Sequence, residues 1–253
     1  MLAAFVAAPQ SRAQSAPGQP LVAAASDLQF ALEETVAAYA AETGIRVKLA
    51  IGSSGNFARQ IRQGAPFDLF MSADEDYVLD LARDGFARGE GALYAIGRIA
   101  LLVLRGSALK ADGSLDDLKA ALSDGRVVKF AIANPEHAPY GKRAEEALRR
   151  KGLWESIQPR LVLGENVSQA AQFAASGNAQ GGIAAYSLAI SPKVQALADH
   201  ALIPAEWHSP LRQRMALLKH AGPEAERFYA YLQAPPARAI LRKYGFVLPG
   251  EGS

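Results

Sequence analysis

Residues 47–74 read VKLAIGSSGNFARQIRQGAPFDLFMSAD, and this stretch decides the fold class. The apolar run 47–51 predicts a strand, 57–63 predicts a short helix that ends at Gly64-Ala65-Pro66, and 67–71 predicts a second strand. A strand, a helix and another strand in close succession are typical of α/β proteins with a largely parallel sheet.

The same alternation continues on both sides of this stretch. Strands are predicted at 21–25, 99–104, 129–133, 161–163, 182–186 and 214–218, and helices at 27–42, 74–84, 115–122, 141–150, 167–175, 224–232 and 236–244. One doubly wound sheet would account for this pattern. In an alternative arrangement, the runs 99–104 and 214–218 are crossings between two lobes, and periodicity alone leaves both open.

Composition excludes several classes of function. The 253 residues carry a formal net charge of +2 and no cysteine. So small a charge, without a basic stripe, argues against a nucleic-acid partner. The absence of cysteine excludes disulfides, thiolate metal sites and cysteine nucleophiles, and the four histidines have no metal-binding spacing. We therefore expect no metal site and no nucleic-acid partner.

Residues 1–20 form a signal-like leader. An apolar run at 2–8 precedes Ser11-Arg12-Ala13, and cleavage after Ala13 would fit the small-x-small rule of secretory signals. The basic segment that normally begins such a signal is missing, so the signal peptide looks truncated. Elsewhere no stretch approaches the ~18 apolar residues that span a bilayer. The sequence therefore predicts an exported, soluble protein.

Small polar residues follow four predicted strands, where the next helix begins. They stand in the segments ASD (25–27), GSSG (52–55), APYG (138–141) and NVS (166–168). In an open α/β sheet such loops gather at one edge, and helix N-termini there present free N–H groups to an anion. Serine, aspartate and asparagine are also the preferred N-cap residues, so capping alone is the alternative at each junction.

Catalytic motifs are missing from the sequence. The segment GSSGN is not a G-x-S-x-G nucleophile elbow, and neither a phosphate loop nor a dinucleotide fingerprint follows any predicted strand. Asp68, Asp74 and Asp76 lack the spacing of a calcium loop, and Asp74 is predicted to cap a helix. We expect no enzyme activity, with a periplasmic serine hydrolase that uses Ser54 as an alternative.

Several segments, in order, resemble one known family. They are VAAASDLQFALEE (22–34), SSGNFARQIRQGAPFDLFMSAD (53–74), ANPEHAPYGKRAEEAL (133–148), GENVSQA (164–170), GGIAAYS (181–187) and ILRKYGF (240–246). Together they resemble the periplasmic molybdate-binding proteins of molybdate ABC transporters. The resemblance covers nearly all of residues 21–246.

This resemblance implies a two-lobed α/β fold of the type II periplasmic binding proteins, with a hinge and a central ligand cleft. The first lobe would comprise residues 21–96 plus 205–253, and the second 97–204. It also implies a monomeric periplasmic protein, without a cofactor, that captures molybdate and tungstate and delivers them to an ABC permease in the membrane.

The resemblance further implies a site built from neutral donors. Ser26, Ser54 and Tyr140 would contribute hydroxyl groups, and Val167 a backbone N–H. The weaker candidates are Asp27, Ser53, Ala185 and Tyr186. Tyr186 stands one position later than the family's tyrosine, and a one-residue slip in a strand turns a side chain to the opposite face. Asp27 is expected to point away and cap its helix, because a carboxylate would repel a dianion.

Neutral donors without acceptors favour an oxyanion that carries no proton. Hydrogenphosphate would leave its proton unpaired, at a cost of about 1–3 kcal/mol. Sulfate and molybdate differ mainly in size, so a binder of another small oxyanion such as sulfate is an alternative.

Overall fold

The apolar runs of the sequence form the strands of two separate sheets. The computed structural model describes residues 18–251, so most of the predicted leader lies outside the described residues. The strands are β1 (Leu21–Ala25), β2 (Lys48–Gly52), β3 (Leu69–Ser72), β4 (Ala92–Gly97), β5 (Ile99–Leu104), β6 (Phe130–Ala133), β7 (Leu161–Gly164), β8 (Gly181–Ala185), β9 (Ala198–Leu202) and β10 (Leu211–Leu217).

Helices fill most of the connections between these strands. They are α1 (Gln29–Thr43), α2 (Ser54–Arg62), α3 (Glu75–Arg83), α4 (Asp116–Ser123), α5 (Pro139–Arg150), α6 (Trp154–Ile157), α7 (Val167–Ala175), α8 (Tyr186–Ala189), α9 (Pro192–Gln195), α10 (Pro223–Gln233) and α11 (Pro235–Lys243). Short 3-10 helices lie at Ser26–Leu28, Gln158–Arg160 and Ala205–Trp207. None of the helices within residues 18–251 is long and apolar enough to cross a membrane.

Each sheet has five strands and mixed direction. The first has the order β2-β1-β3-β10-β4, in which β10 runs antiparallel to both neighbours. The second has the order β7-β6-β8-β5-β9, with β5 antiparallel to β8 and β9. Four strands of each sheet therefore run in one direction, as a largely parallel sheet predicts, and three of them are paired directly in parallel. We call the elements around the first sheet lobe 1 and those around the second lobe 2.

The chain passes between the lobes at residues 97–99 and again at 203–211. The alternative of one doubly wound sheet is therefore wrong, and so is the placement of the crossings in the two apolar runs. Strand β5 is an interior strand of lobe 2, and β10 is an interior strand of lobe 1. A continuous apolar run is typical of a strand covered on both faces, and residues 99–103 are almost fully buried.

Each lobe has a buried core around its own sheet, and the core of lobe 2 extends to Ala25 and Ala73 of lobe 1. In lobe 1, Phe70, Met71 and Phe228 are fully buried, and in lobe 2 Leu101 and Phe130 are. Because each sheet is covered by its own helices, polar groups at the helix starts remain free to face the other lobe.

Candidate anion-binding site

A narrow pocket lies between the lobes, where helices from both of them begin. Its walls include Ser26, Asp27 and Ser54 from lobe 1, and Tyr140 and Val167 from lobe 2. Its volume is ≈ 10 Å³, about the space of one water molecule and far below the roughly 300 Å³ at which pockets for organic ligands begin. In this arrangement of the lobes the pocket therefore excludes organic ligands.

Two buried serine residues line this pocket, and their hydroxyls can each donate a hydrogen bond to a ligand. Ser54, the first residue of α2, accepts a hydrogen bond at Oγ from the N–H of Ala73 (3.0 Å). Ser26 accepts one from the N–H of Ser168 (3.2 Å). Their exposed fractions are 0% and 2%, and within residues 18–251 neither hydroxyl donates a hydrogen bond. Each serine is thus oriented by an amide and keeps its own O–H available.

Two helices of lobe 2 begin at the opposite wall. Helix α5 starts at Pro139 and α7 at Val167, so the N–H groups of Tyr140 and Val167 lie in the first turns, where the helix itself supplies no acceptor. Asn166 caps α7 by accepting from the N–H of Gln169 (3.1 Å). These first-turn amides and the positive ends of both helix dipoles favour an anion in the pocket.

The Tyr140 hydroxyl is engaged with the protein itself. It donates to Oδ2 of Asp27 (3.0 Å) and accepts from Nε2 of Gln213 (3.0 Å). Burial raises its pKa well above the ordinary value for tyrosine. The donor role that the resemblance implied for this hydroxyl therefore differs from what the structure shows, since its proton points at a carboxylate of lobe 1.

Asp27 does not point away from the pocket, and this expectation from the sequence is wrong. Its side chain caps neither the 3-10 helix nor α1. Instead it is buried in the pocket wall, where Oδ2 also accepts from Nε2 of Gln213 (2.6 Å). Burial raises the pKa of Asp27 to about 6, although the hydrogen bonds from Gln213 and Tyr140 lower it in part. The second oxygen, Oδ1, has no hydrogen-bond partner among residues 18–251.

Ser53 lines the same pocket, but its hydroxyl already makes hydrogen bonds within the protein. It is the N-cap of α2, where it accepts from the N–H of Asn56 (3.4 Å), and its Oγ lies 2.9 Å from Nδ1 of His137. The other ring nitrogen of His137 is 3.8 Å from the carboxylate of Glu165, which is beyond hydrogen-bond distance. The serine–histidine pair therefore acts as a contact between the lobes.

Ala185 and Tyr186 are not part of the pocket wall in the described chain. Ala185 ends β8 and is fully buried, without a polar side chain. The ring of Tyr186 lies beneath the guanidinium of Arg98 (4.5 Å) and packs edge-on against His200 (5.7 Å). Tyr186 thus has a packing role away from the pocket.

The residues that sequence reasoning missed support the pocket from behind. Gln213 on β10 is fully buried, and its Oε1 accepts from the hydroxyl of Tyr94 on β4 (2.9 Å). Its amide holds both Asp27 and Tyr140. The only signal in the sequence was a glutamine within a strand-like segment, which by itself does not indicate a site.

The lobes are in direct contact around the pocket. The N–H of Gly55 donates to the carbonyl of His137 (3.0 Å), and a Cβ at Gly55 would come within 2.7 Å of that oxygen. Arg143 on α5 pairs with Asp74 at the start of α3 (3.0 Å). Asp74 caps α3 as predicted, accepting from the N–H of Asp76. No group of three potential metal ligands occurs within residues 18–251.

Comparison with known proteins places this geometry in a family. The family model for bacterial extracellular solute-binding proteins matches residues 20–247. The chain belongs to this family. The molybdate-binding protein ModA of Rhodobacter capsulatus is 35% identical over 92% of this chain and 90% of its own length. ModA of Escherichia coli is 31% identical over 91% and 90%. The resemblance seen in the sequence is thereby confirmed.

Solved structures agree with the two-lobed fold. The periplasmic molybdate-binding protein of Azotobacter vinelandii superposes with a TM-score of 0.82 at 31% identity, covering 91% of this chain and 99% of its own. The sulfate-binding protein SubI of Mycobacterium tuberculosis gives 0.75 at 15% identity, covering 92% and 87%. At that identity the likeness to SubI concerns the fold alone.

Proposed function

We propose that this protein captures molybdate between its two lobes, and tungstate as well because the two ions are nearly the same size. The observation that carries the proposal is a pair of buried serines, Ser26 and Ser54. They line the same small pocket as the first turns of α5 and α7, and their hydroxyls donate to no other group within residues 18–251. Relatives that are named molybdate-binding proteins, at 31–35% identity, support the choice of ion.

The proposed ligand contacts come from both lobes. Ser26 and Ser54 donate through their hydroxyls, and Tyr140 and Val167 through backbone N–H groups. Asp27 lies in the pocket wall and would therefore stand beside the ion. Ser53 contributes to the contact between the lobes, and Ala185 and Tyr186 contribute to packing. The first lobe spans residues 21–96 plus 205–253 and the second 97–204, with the hinge at the two crossings.

Transport follows from this arrangement. Because donors from both lobes are needed, the ion stabilises the closed form, and opening of the hinge releases it. We infer that a monomer in the periplasm performs this cycle and delivers the ion to an ABC permease. The family's description as extracellular solute-binding proteins supports this location.

Two alternatives are separable from this proposal. A sulfate binder would use the same neutral donors, and only the size of the pocket distinguishes it. A serine hydrolase would need a base beside Ser54, yet the nearby histidine, His137, contacts Ser53. Hydrolysis of acyl esters that is lost in Ser53→Ala or Ser54→Ala would support the hydrolase.

Thermal unfolding with molybdate, tungstate, sulfate and phosphate tests the proposal. A ligand at 100 times its Kd stabilises the folded state by about 2.7 kcal/mol, which raises Tm by roughly 5–10 °C for a chain of this size. We expect this rise with molybdate and tungstate only. An equal rise with sulfate would contradict the choice of ion, and no rise with any of the four would contradict the function.

A further inference from the structure

A carboxylate in the wall of an otherwise neutral anion pocket needs an explanation. We propose that the site binds its oxyanion together with one proton, which resides on Oδ1 of Asp27 and is donated to an oxygen of the bound dianion. The inference rests on the proposed function and adds to it a dependence of affinity on pH.

The two oxygens of Asp27 have different surroundings. Oδ2 accepts hydrogen bonds from Tyr140 and Gln213, whereas Oδ1 has no partner within residues 18–251. The side chain is 1% exposed and lines the pocket. A protonated Oδ1 therefore has no acceptor within the protein, and an oxygen of the bound oxyanion can accept its hydrogen bond.

No cation holds Asp27 in its ionised form in the described chain. The titratable groups that face it are Tyr94 on β4 and Tyr140 on α5, and burial raises the pKa of both, so both are neutral. From α8, the hydroxyl of Ser187 donates to the backbone carbonyl of Asp27 (2.8 Å), and α7 and α8 carry no charged residue. Burial is the first cause of the raised pKa of Asp27, about 6.

The charged groups on the neighbouring elements are engaged elsewhere. Arg143 on α5 pairs with Asp74 and Glu146, the arginines of β10 pair with Glu75, and Arg98, which follows β4, donates to the carbonyl of Gly245. An ionised Asp27 beside a dianion would therefore bring like charges together in a buried site with hydrogen bonds but no cation to offset them.

The sign of the pH effect follows from these charges. Below pH 6 the Asp27 carboxyl of the free protein is already protonated, so binding of the ion takes up much less than one proton. Above pH 6 each bound ion requires about one proton, so affinity falls roughly 10-fold for each pH unit. The same raised pKa makes the free protein less stable as pH rises through 6, because ionisation is disfavoured in the folded state.

Calorimetric titration of molybdate in buffers of different ionisation enthalpy measures the proton directly. At pH 7.5 we expect wild type to take up about one proton per ion, with Kd rising about 10-fold from pH 6.5 to 7.5 and again to 8.5. Asp27→Asn keeps the shape and the acceptor for Tyr140, and replaces the proton by an amide donor. This variant should bind without proton uptake and with a flat pH profile. Asp76→Asn, on the exposed start of α3, should behave as wild type.

Each outcome supports or overturns the inference. Tight binding of molybdate by wild type with no proton uptake and a flat profile overturns it and leaves the proposed function intact. Loss of molybdate binding at every pH overturns both. Tight phosphate binding in place of molybdate means that an ionised Asp27 accepts the ligand's proton, which also overturns both. Should Asp27→Asn fail to fold, the number of protons taken up by wild type still distinguishes these outcomes.

Discussion

Ser54 carries the clearest single contact of the proposed site. Its hydroxyl is held by the N–H of Ala73 and donates to no protein group in the described chain. Replacement by alanine removes a buried donor to a charged ligand, so we expect Ser54→Ala to weaken molybdate binding by about 1.5–3 kcal/mol, roughly 10- to 150-fold. Calorimetric titration checks this loss.

Ser53 provides the matched control for this variant. Its hydroxyl caps α2 and contacts His137. Ser53→Ala should therefore lower the free energy of unfolding by about 1 kcal/mol while changing molybdate affinity less than Ser54→Ala does. A larger loss of molybdate affinity in Ser53→Ala than in Ser54→Ala would show that the ion is bound by the hydroxyl of Ser53.

The sequence indicates the serines more readily than the carboxylate. Ser26 and Ser54 directly follow apolar runs, so their place at a sheet edge is a local property. Asp27 is buried because elements distant in the chain close over it, and the bond from Gln213 spans 186 positions. A capping rule considers only local neighbours, and it therefore predicts the wrong orientation for Asp27.

Among the elements, those with a strong local pattern are predictable. The run 99–104 matches β5 residue for residue, because a strand covered on both faces is apolar throughout. Strand β4 and the edge strand β9, ADHAL, were missed, since β9 carries charged and polar residues among its apolar ones. The assignment of each strand to a lobe depends on pairing between distant segments, which periodicity does not encode.

At the end of β4, Gly97 lets two elements meet behind the pocket. A Cβ there would overlap the Tyr140 hydroxyl and lie 2.7 Å from Nε2 of Gln213. Gly97→Ala should displace α5 from β10, lower the free energy of unfolding by about 1–3 kcal/mol and weaken molybdate binding. Gly222→Ala, where nothing lies within 4 Å, is the control. Unchanged affinity in Gly97→Ala would separate the Tyr140–Gln213 contact from binding.

For the whole molecule, a pair of charges outside the pocket joins the two lobes. Arg143 of lobe 2 and Asp74 of lobe 1 form a pair at 3.0 Å with side chains only 8% and 16% exposed. Burial raises the pKa of Asp74 more than the attraction of Arg143 lowers it. Removal of Arg143 would leave the carboxyl of Asp74 buried without its partner when the lobes are closed. The population of the open form would therefore increase.

We therefore expect Arg143→Gln to weaken molybdate binding by roughly 30-fold or more, mainly through faster release, because one partner of a buried pair is left behind. Stopped-flow measurements give the rate constant for release of the ion, and small-angle scattering should show the variant more open at saturating molybdate. The exposed pair of Arg149 with Glu145 provides the control, and Arg149→Gln should bind as wild type. Equal release rates for the two variants would mean that contacts at the pocket alone close the lobes.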